Sequence, residues 1–232
     1  SVVGVDGSYQ VHRLTALDLC AAAAVAVEGT SKEAKRHWPE PYHDMWVDGL
    51  PHRIDTIGVL RGMMVSMEMT LASQAPHDLV LLDGSFSSLI IYLNQGLTKL
   101  DSCAKGIADE FITRWQSGIL VQLKGLLKSD RTVAMPKFTS RNEFLRGNML
   151  NPPVTVDGKT LATMILKPGE YTRPLPLHDE ADPASQQVDH LPEKFCPKSD
   201  MEELLAALNG LSVIYFRPYG WIPALRMEFP SS

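Results

Sequence analysis

Two apolar runs in this chain end in the same three residues. Val2-Val3-Gly4-Val5 leads into Asp6-Gly7-Ser8, and Leu79-Val80-Leu81-Leu82 leads into Asp83-Gly84-Ser85. Each run reads as a buried strand, because apolar residues follow one another without polar alternation. Each glycine then predicts a sharp exit from its strand. An Asp in that position sits where open α/β sheets place their ligands, at the carboxyl ends of strands. If the two strands lie parallel and side by side, Asp6 and Asp83 share one edge. Adjacent carboxylates repel, and a divalent cation between them is the usual remedy. A single Asp-Gly is no more than a good turn former. Its repetition after two buried runs is what points to a site.

A third acid has matching geometry. Residues 55–74 have helical spacing, with Leu60, Met64, Met67 and Leu71 as an apolar stripe and Asp55 placed to cap it. Glu68 borders that stripe, and an acid at the rim of a core needs a partner. It lies about 10 Å back along the helix axis from Ala75. Asp83 lies about 13 Å along the strand that starts at Leu79. A helix returning antiparallel to its strand therefore brings both carboxylates to nearly one height. Three oxygen donors on separate elements suit Mg2+ or Mn2+. Two such ions could activate a nucleophile and stabilise the leaving oxygen of a phosphodiester. The plainer alternative for Glu68 is an exposed helix-surface acid.

Other groups carry weaker signals. Lys137 follows the end of a predicted strand, where it could meet a scissile phosphate or a charged transition state. Lys124, Lys128, Arg131, Lys137, Arg141 and Arg146 make the most basic part of the chain, suited either to a phosphate-binding groove or to a solvated face. His43 and His52 flank a turn, and the seven histidines form no His-x-x-x-His pair. Ser8 and Ser85 lack a Gly-x-Ser-x-Gly elbow. No Gly-x-x-x-x-Gly-Lys-Ser/Thr loop exists, so the chain is not itself a P-loop NTPase.

The elements that must position these residues read as an α/β fold. After the first strand, residues 14–27 read as a strand despite their alanines, and 39–51 as a third strand or a loop. Residues 87–127 are mostly helical, with Ile107, Phe111, Trp115, Ile119 and Leu123 on one face. Thr132–Met135 is a fifth strand. Ser140–Leu145 resembles a short helix with a capping box. Pro152–Leu166 reads as a hairpin around Asp157-Gly158. Lys167–Ser199 is Pro-rich and acidic, and reads as a surface excursion or lid. Met201–Leu208 is a short helix, and Ser212–Arg217 and Ala224–Phe229 are a closing strand pair.

Composition sets the bounds. Apolar residues form 44% of the 232, enough for one large domain spanning 1–232. Charged residues form 21%, near the globular norm, which excludes wholesale disorder. A net charge of −5 argues against a generally basic nucleic-acid binder. Cys20, Cys103 and Cys196 are widely spaced and odd in number, pointing to a reducing compartment. The longest apolar stretch, residues 19–27, is too short to span a bilayer, and no leader pattern opens the chain. We therefore expect a cytoplasmic protein with no membrane partner. The chain opens on a core strand and stops just after a strand-like segment, as if cut from something longer.

These motifs, in this order, resemble the NurA-type nucleases. The resemblance is carried by Val3-Gly4-Val5-Asp6-Gly7-Ser8, a helix with Arg61 and Glu68, and Val80-Leu81-Leu82-Asp83-Gly84-Ser85. Lys137 after the fifth strand and the closing Arg226-Met227-Glu228-Phe229-Pro230, an Arg-x-Glu strand, add to it. The resemblance implies an RNase H-like fold, with a mixed central β-sheet flanked by helices. It implies a Mn2+- or Mg2+-dependent deoxyribonuclease, a 5'–3' exonuclease and single-strand endonuclease in DNA end resection and repair. It also implies a homodimer and a partner ATPase, a hexameric translocase of the HerA type. Asp6, Glu68, Asp83 and Lys137 match family positions, and Tyr171 is the candidate for the family's active-site tyrosine. The family's terminal His and its leading helices have no counterpart in residues 1–232. Two readings compete. An actin- or sugar-kinase-like ATPase needs a late glycine-rich adenosine loop, and residues 199–232 hold only Gly210 and Gly220. A catalytically silent subunit that docks a translocase would bind no metal.

Overall fold

One strand joins the two halves of the sheet. β1 (Val2–Arg13) pairs antiparallel with β2 (Asp18–Glu28) on one side and parallel with β4 (Leu79–Asp83) on the other. β3 (Tyr42–Leu50) adds antiparallel to β2, and β5 (Thr132–Met135) adds parallel to β4. Beyond β5 the sheet becomes antiparallel again through β8 (Leu225–Pro230), β7 (Leu211–Phe216) and the two-residue β6 (Leu175–Pro176). The order across this eight-stranded mixed sheet is β3-β2-β1-β4-β5-β8-β7-β6. The structure, a computed structural model, describes residues 1–29, 36–137, 143, 156–178 and 190–231.

The alanine-rich stretch shows tertiary pairing overriding local preference. Alanine is the best helix former, yet residues 18–28 form β2. Ala22, Ala24 and Ala26 point inward and are buried. Their small side chains let α1 (Thr56–Gln74) lie close against the strand. That helix departs from the simple stripe its spacing predicts. It is buried on nearly all sides, between the sheet and three further helices, α2 (Phe86–Thr98), α3 (Lys105–Arg114) and α4 (Leu120–Lys128). Met63, Met64, Met67 and Met69 are buried along it, filling gaps that stiffer side chains would leave. Asp55 precedes α1 without capping it, because its carboxylate is taken by Lys99. Ile107, Phe111, Trp115, Ile119 and Leu123 are all buried as their spacing predicts, with a wide turn at Trp115–Ile119 between α3 and α4.

The second half differs more from expectation. The hairpin predicted around Asp157-Gly158 is instead the start of α5 (Gly158–Ile165). Asp157 Oδ1 accepts a hydrogen bond from the Thr160 backbone at 2.9 Å and caps the helix. In residues 167–178 and 190–199, Leu175, Leu177, Leu191 and Cys196 are buried, and Lys198 opens α6 (Lys198–Asn209). The helix expected at 140–145 lies outside the described residues, apart from Glu143. The helices α1 to α4 and α6 cover the face of the sheet that carries Val3, Val5, Val80 and Leu82. On the other face Val25, Val27, Leu81, Met135 and Leu225 line a shallow apolar hollow of about 520 Å³, and Met45 and Val47 of β3 are exposed beside it.

Candidate active site

The parallel ladder between β1 and β4 ends at the pair Val5 and Leu82. Asp6 and Asp83 are the next residues on each strand, so they meet at one edge. The two Asp-Gly-Ser copies then part ways. After Asp83 the chain turns sharply, with Gly84 at a φ of 95°, a left-handed conformation suited to glycine. Ser85 caps α2 by accepting a hydrogen bond from the Ser88 backbone at 3.3 Å. After Asp6 there is no exit: β1 runs on through Gly7, opposite Ala24 of β2, as far as Arg13. The turn expected at Gly7 is absent because β2 continues to pair with β1 there. Gly7 serves a different purpose. A Cβ at this position would overlap Glu68 Oε1 and would lie 2.8 Å from Met64 Cγ. The bare backbone lets Glu68 of α1 reach the aspartates, and the Gly7 N–H bonds its carboxylate.

The three carboxylates line one cleft of about 510 Å³, with Lys137, Arg226 and Glu228. Glu68 is 5% exposed. Burial pushes its carboxyl up to about 8, and repulsion from Asp6 and Asp83 adds to the effect. Asp6 is also raised, first by burial and then by its hydrogen bond and repulsion with Asp83, while Lys137 and the Gly7 N–H pull the other way. Lys137 follows β5. Its Nζ lies 2.7 Å from Asp83 Oδ2 and 3.6 Å from Asp6 Oδ2. The hydrogen bond and charge of Asp83, with the charge of Asp6, raise the ammonium's pKa. One ammonium thus balances two aspartates, and among the described residues Glu68 forms no ion pair. All-oxygen donors with surplus negative charge are the set a hard divalent cation takes.

A buried polar network backs the cleft. Glu228 of β8 is 1% exposed, and its Oε2 accepts from the Phe86 backbone at 2.9 Å, at the start of α2. Its Oε1 meets Arg226 Nη1. Arg226 Nη2 reaches Glu143 Oε1 at 2.7 Å, and Tyr215 Oη donates to Glu143 Oε2 at 2.9 Å. Burial would raise the Glu143 carboxyl, but Arg226 outweighs it and holds the group low. Phe86 follows the Asp83-Gly84-Ser85 turn, so the network fixes the loop that carries Asp83. Arg226 and Glu228 are marked in the sequence only by the Arg-x-Glu resemblance. Glu143 is marked in the sequence only as the acid of a capping box begun at Ser140, and Tyr215 carries no signal of a role here.

Other predicted residues lie elsewhere. Tyr171 bridges Phe216 at the end of β7, is 67% exposed, and does not line the acid cleft. Of the four described residues of the basic run, three are committed to structure and the fourth is Lys137. Lys124 pairs with Asp200 and Glu203, and Lys128 with Glu203. Arg131 donates to the backbone carbonyls of Ala75 and His77. Arg141 and Arg146 lie outside the described residues. His52 pairs with buried Asp18 at 2.8 Å, and His43 is exposed on β3. Lys159, which the hairpin reading of its segment passed over, donates to the Lys137 carbonyl at 2.8 Å. The β7–β8 connection projects from the same sheet edge as the acids, since β8 runs antiparallel to β5. It carries Tyr219 and Trp221 stacked at 5.5 Å and exposed.

The family model for the NurA domain matches residues 1–230. No curated protein matches the chain in sequence. Solved structures match in fold. The NurA nuclease from Sulfolobus solfataricus superimposes with a TM-score of 0.63, at 12% identity, over 100% of this chain and 68% of its own. A NurA bound to dAMP and manganese does so with a TM-score of 0.57, at 12% identity, over 100% of this chain and 78% of its own. A NurA with manganese gives a TM-score of 0.54, at 12% identity, over 98% and 77%.

Proposed function

The chain belongs to the NurA domain family, and on that premise we propose that it is a metal-dependent deoxyribonuclease. The reading is a 5'–3' exonuclease and single-strand endonuclease acting in DNA end resection and repair. The observation that carries it is the convergence of Asp6, Glu68 and Asp83 in one cleft, with Glu68 held up to about 8 by burial and by its neighbours' charge. A carboxylate cluster so poorly compensated fits Mn2+ or Mg2+, and NurA structures elsewhere were solved with manganese. When bound, such an ion activates water and neutralises charge on a phosphodiester.

The chain's own residues have separate roles in this reading. Asp6, Glu68 and Asp83 hold the cation. Lys137 is placed to exchange its aspartate contacts for the scissile phosphate and stabilise the negative charge that develops there. Glu228, through Phe86, positions the loop bearing Asp83. Tyr219 and Trp221, with exposed Tyr171 on the same edge, offer faces on which unpaired bases stack, which favours a single-stranded path.

The finer architecture is proposed on the same footing. Three antiparallel strands followed by two parallel ones, with acids at the parallel ends, support an RNase H-like core in a single nuclease domain. The partly covered apolar sheet face supports a homodimer and docking to a HerA-type hexameric ATPase. The three cysteines are free, in keeping with the cytoplasm, and among the described residues no helix is long and apolar enough to cross a membrane. The test is a Mn2+-dependent cleavage assay on 5'-labelled single- and double-stranded DNA. Release of nucleotides from 5' ends and internal cuts in single strands, both stopped by EDTA, is the expected result. A chain that binds Mn2+ but cuts neither substrate overturns the reading.

A further inference from the structure

A second group of ligating side chains converges at the opposite end of β1 and β4. Glu28 closes β2 beside the start of β1, in register with Val3. His77 lies in the α1–β4 connection, just before Leu79, which pairs with Val2. His37 lies ahead of β3. A Glu28 carboxylate oxygen and one ring nitrogen from each histidine all lie within 4.8 Å of one another. His77 is 1% exposed, and its Nε2 meets Glu28 Oε1 at 2.8 Å. The rings of His37 and Trp38 pack edge-on against it, with centroids at 4.6 and 4.8 Å. The backbone N–H groups of His37 and Trp38 donate to Glu28 at 2.5 and 3.2 Å, fixing the carboxylate.

We infer that Glu28, His37 and His77 form a binding site for one transition-metal ion of the zinc class, separate from the acid cleft. An ion pair explains Glu28 and His77 alone. It does not explain a second imidazole brought ring to ring with the first, where two protonated rings would repel. The buried His77 Nδ1 has no hydrogen-bond partner among the described residues. The His37 ring likewise makes no side-chain hydrogen bond among them. Two imidazole nitrogens and one carboxylate oxygen are a borderline donor set that favours Zn2+ over Mg2+ or Mn2+, with water in the fourth position. The acid cleft, with oxygen donors only, has the reverse preference. The two sites lie about 13 Å apart along the strands, by the rise of four residues. The ion acts as a clasp, joining the end of β2, the approach to β3 and the α1–β4 connection. Its neighbours α1 and β4 carry Glu68 and Asp83.

The experiment uses the full chain with Asp6→Asn and Asp83→Asn, which silence the acid cleft, after stripping with EDTA. Zn2+ is added and followed by calorimetry and thermal melting. One equivalent should bind, and Tm should rise by about 5–10 °C at a hundredfold excess over Kd. His37→Ala, at an exposed position and therefore safe for folding, should weaken Zn2+ binding by about tenfold or more and abolish the rise in Tm. His77→Gln should do the same if it folds, and if it does not, His37→Ala decides. Co2+ in place of Zn2+ should give the visible absorption of tetrahedral coordination, lost in His37→Ala. The inference is overturned by no saturable binding at micromolar Zn2+, or by equal binding and equal Tm response in the His37→Ala protein.

Discussion

Gly7 and Glu68 share one volume: the Glu68 carboxylate fills the space that a Cβ on Gly7 would need. The acid reaches the aspartates only because position 7 has no side chain. Gly7→Ala should therefore push Glu68 aside without straining the backbone. The overpacked site should cost about 1–3 kcal/mol of stability and about a hundredfold of Mn2+-dependent cleavage, as misplaced groups do. Melting curves and a cleavage assay on the same sample check both. An alanine protein with wild-type turnover would show that Glu68 is not needed where it lies.

Asp83→Asn should abolish cleavage and leave the melting temperature nearly unchanged. The amide keeps the shape of the group and removes the charge that a cation needs. Mn2+ titration should show weakened binding in parallel. Full activity with Mn2+ in this variant would count decisively against the proposed mechanism.

Lys137→Ala should separate turnover from binding. The ammonium is a single charge over the aspartates, so its loss should lower kcat by about a hundredfold. The Kd for a single-stranded oligonucleotide should change little. Equal losses in both would reduce Lys137 to a phosphate contact.

The raised Glu68 carboxyl makes a prediction for the metal-free protein. Its folded pKa, about 8, lies above the ordinary value of 4.5. Between those values the folded state binds more protons than the unfolded state, so stability falls as pH rises. In EDTA, the wild type should lose Tm steadily between pH 5 and about 8. Glu68→Gln should lose less, and above pH 8 it should be the more stable protein by more than about 1.4 kcal/mol, the value of one pKa unit. Parallel pH profiles for the two proteins would disprove this assignment of the strain.

Arg226→Met should be the most destabilising of these changes. It leaves Glu143 and Glu228 buried without their cation. Losing one partner of a buried ion pair costs about 3–5 kcal/mol, or a fall in Tm of about 6–20 °C at this chain length. Differential scanning calorimetry measures it directly.

What the sequence reveals here depends on how local the cause is. Asp6 and Asp83 are visible because the apolar runs before them are contiguous. The matched heights of Glu68 and Asp83 follow from one helix and the next strand. β5 is read correctly at both ends because four residues between turns leave little choice. The role of Gly7 is hidden, since its neighbour in space, Glu68, is 61 residues away. Tyr215 and Arg226 face each other across the closing strand pair, but Glu143, which they hold, comes from a remote stretch, and no spacing announces that contact. The alanines of β2 favour helix until α1 is known to cover them. Lys124 and Lys128 look like a phosphate groove until Asp200 and Glu203 are found beside them.

β8 comes late in the sequence yet lies in the sheet's interior, between β5 and β7. This has a consequence for the order of events during synthesis. A chain emerging from the ribosome carries Asp6, Glu68 and Asp83 long before Glu228 arrives to hold Phe86. Until then β5 presents an open edge, and closing it requires contacts between distant parts of the chain, which form slowly. The acids are therefore locked into place only once residues 225–230 have been made and paired. Maturation of the site is timed by the arrival of one strand.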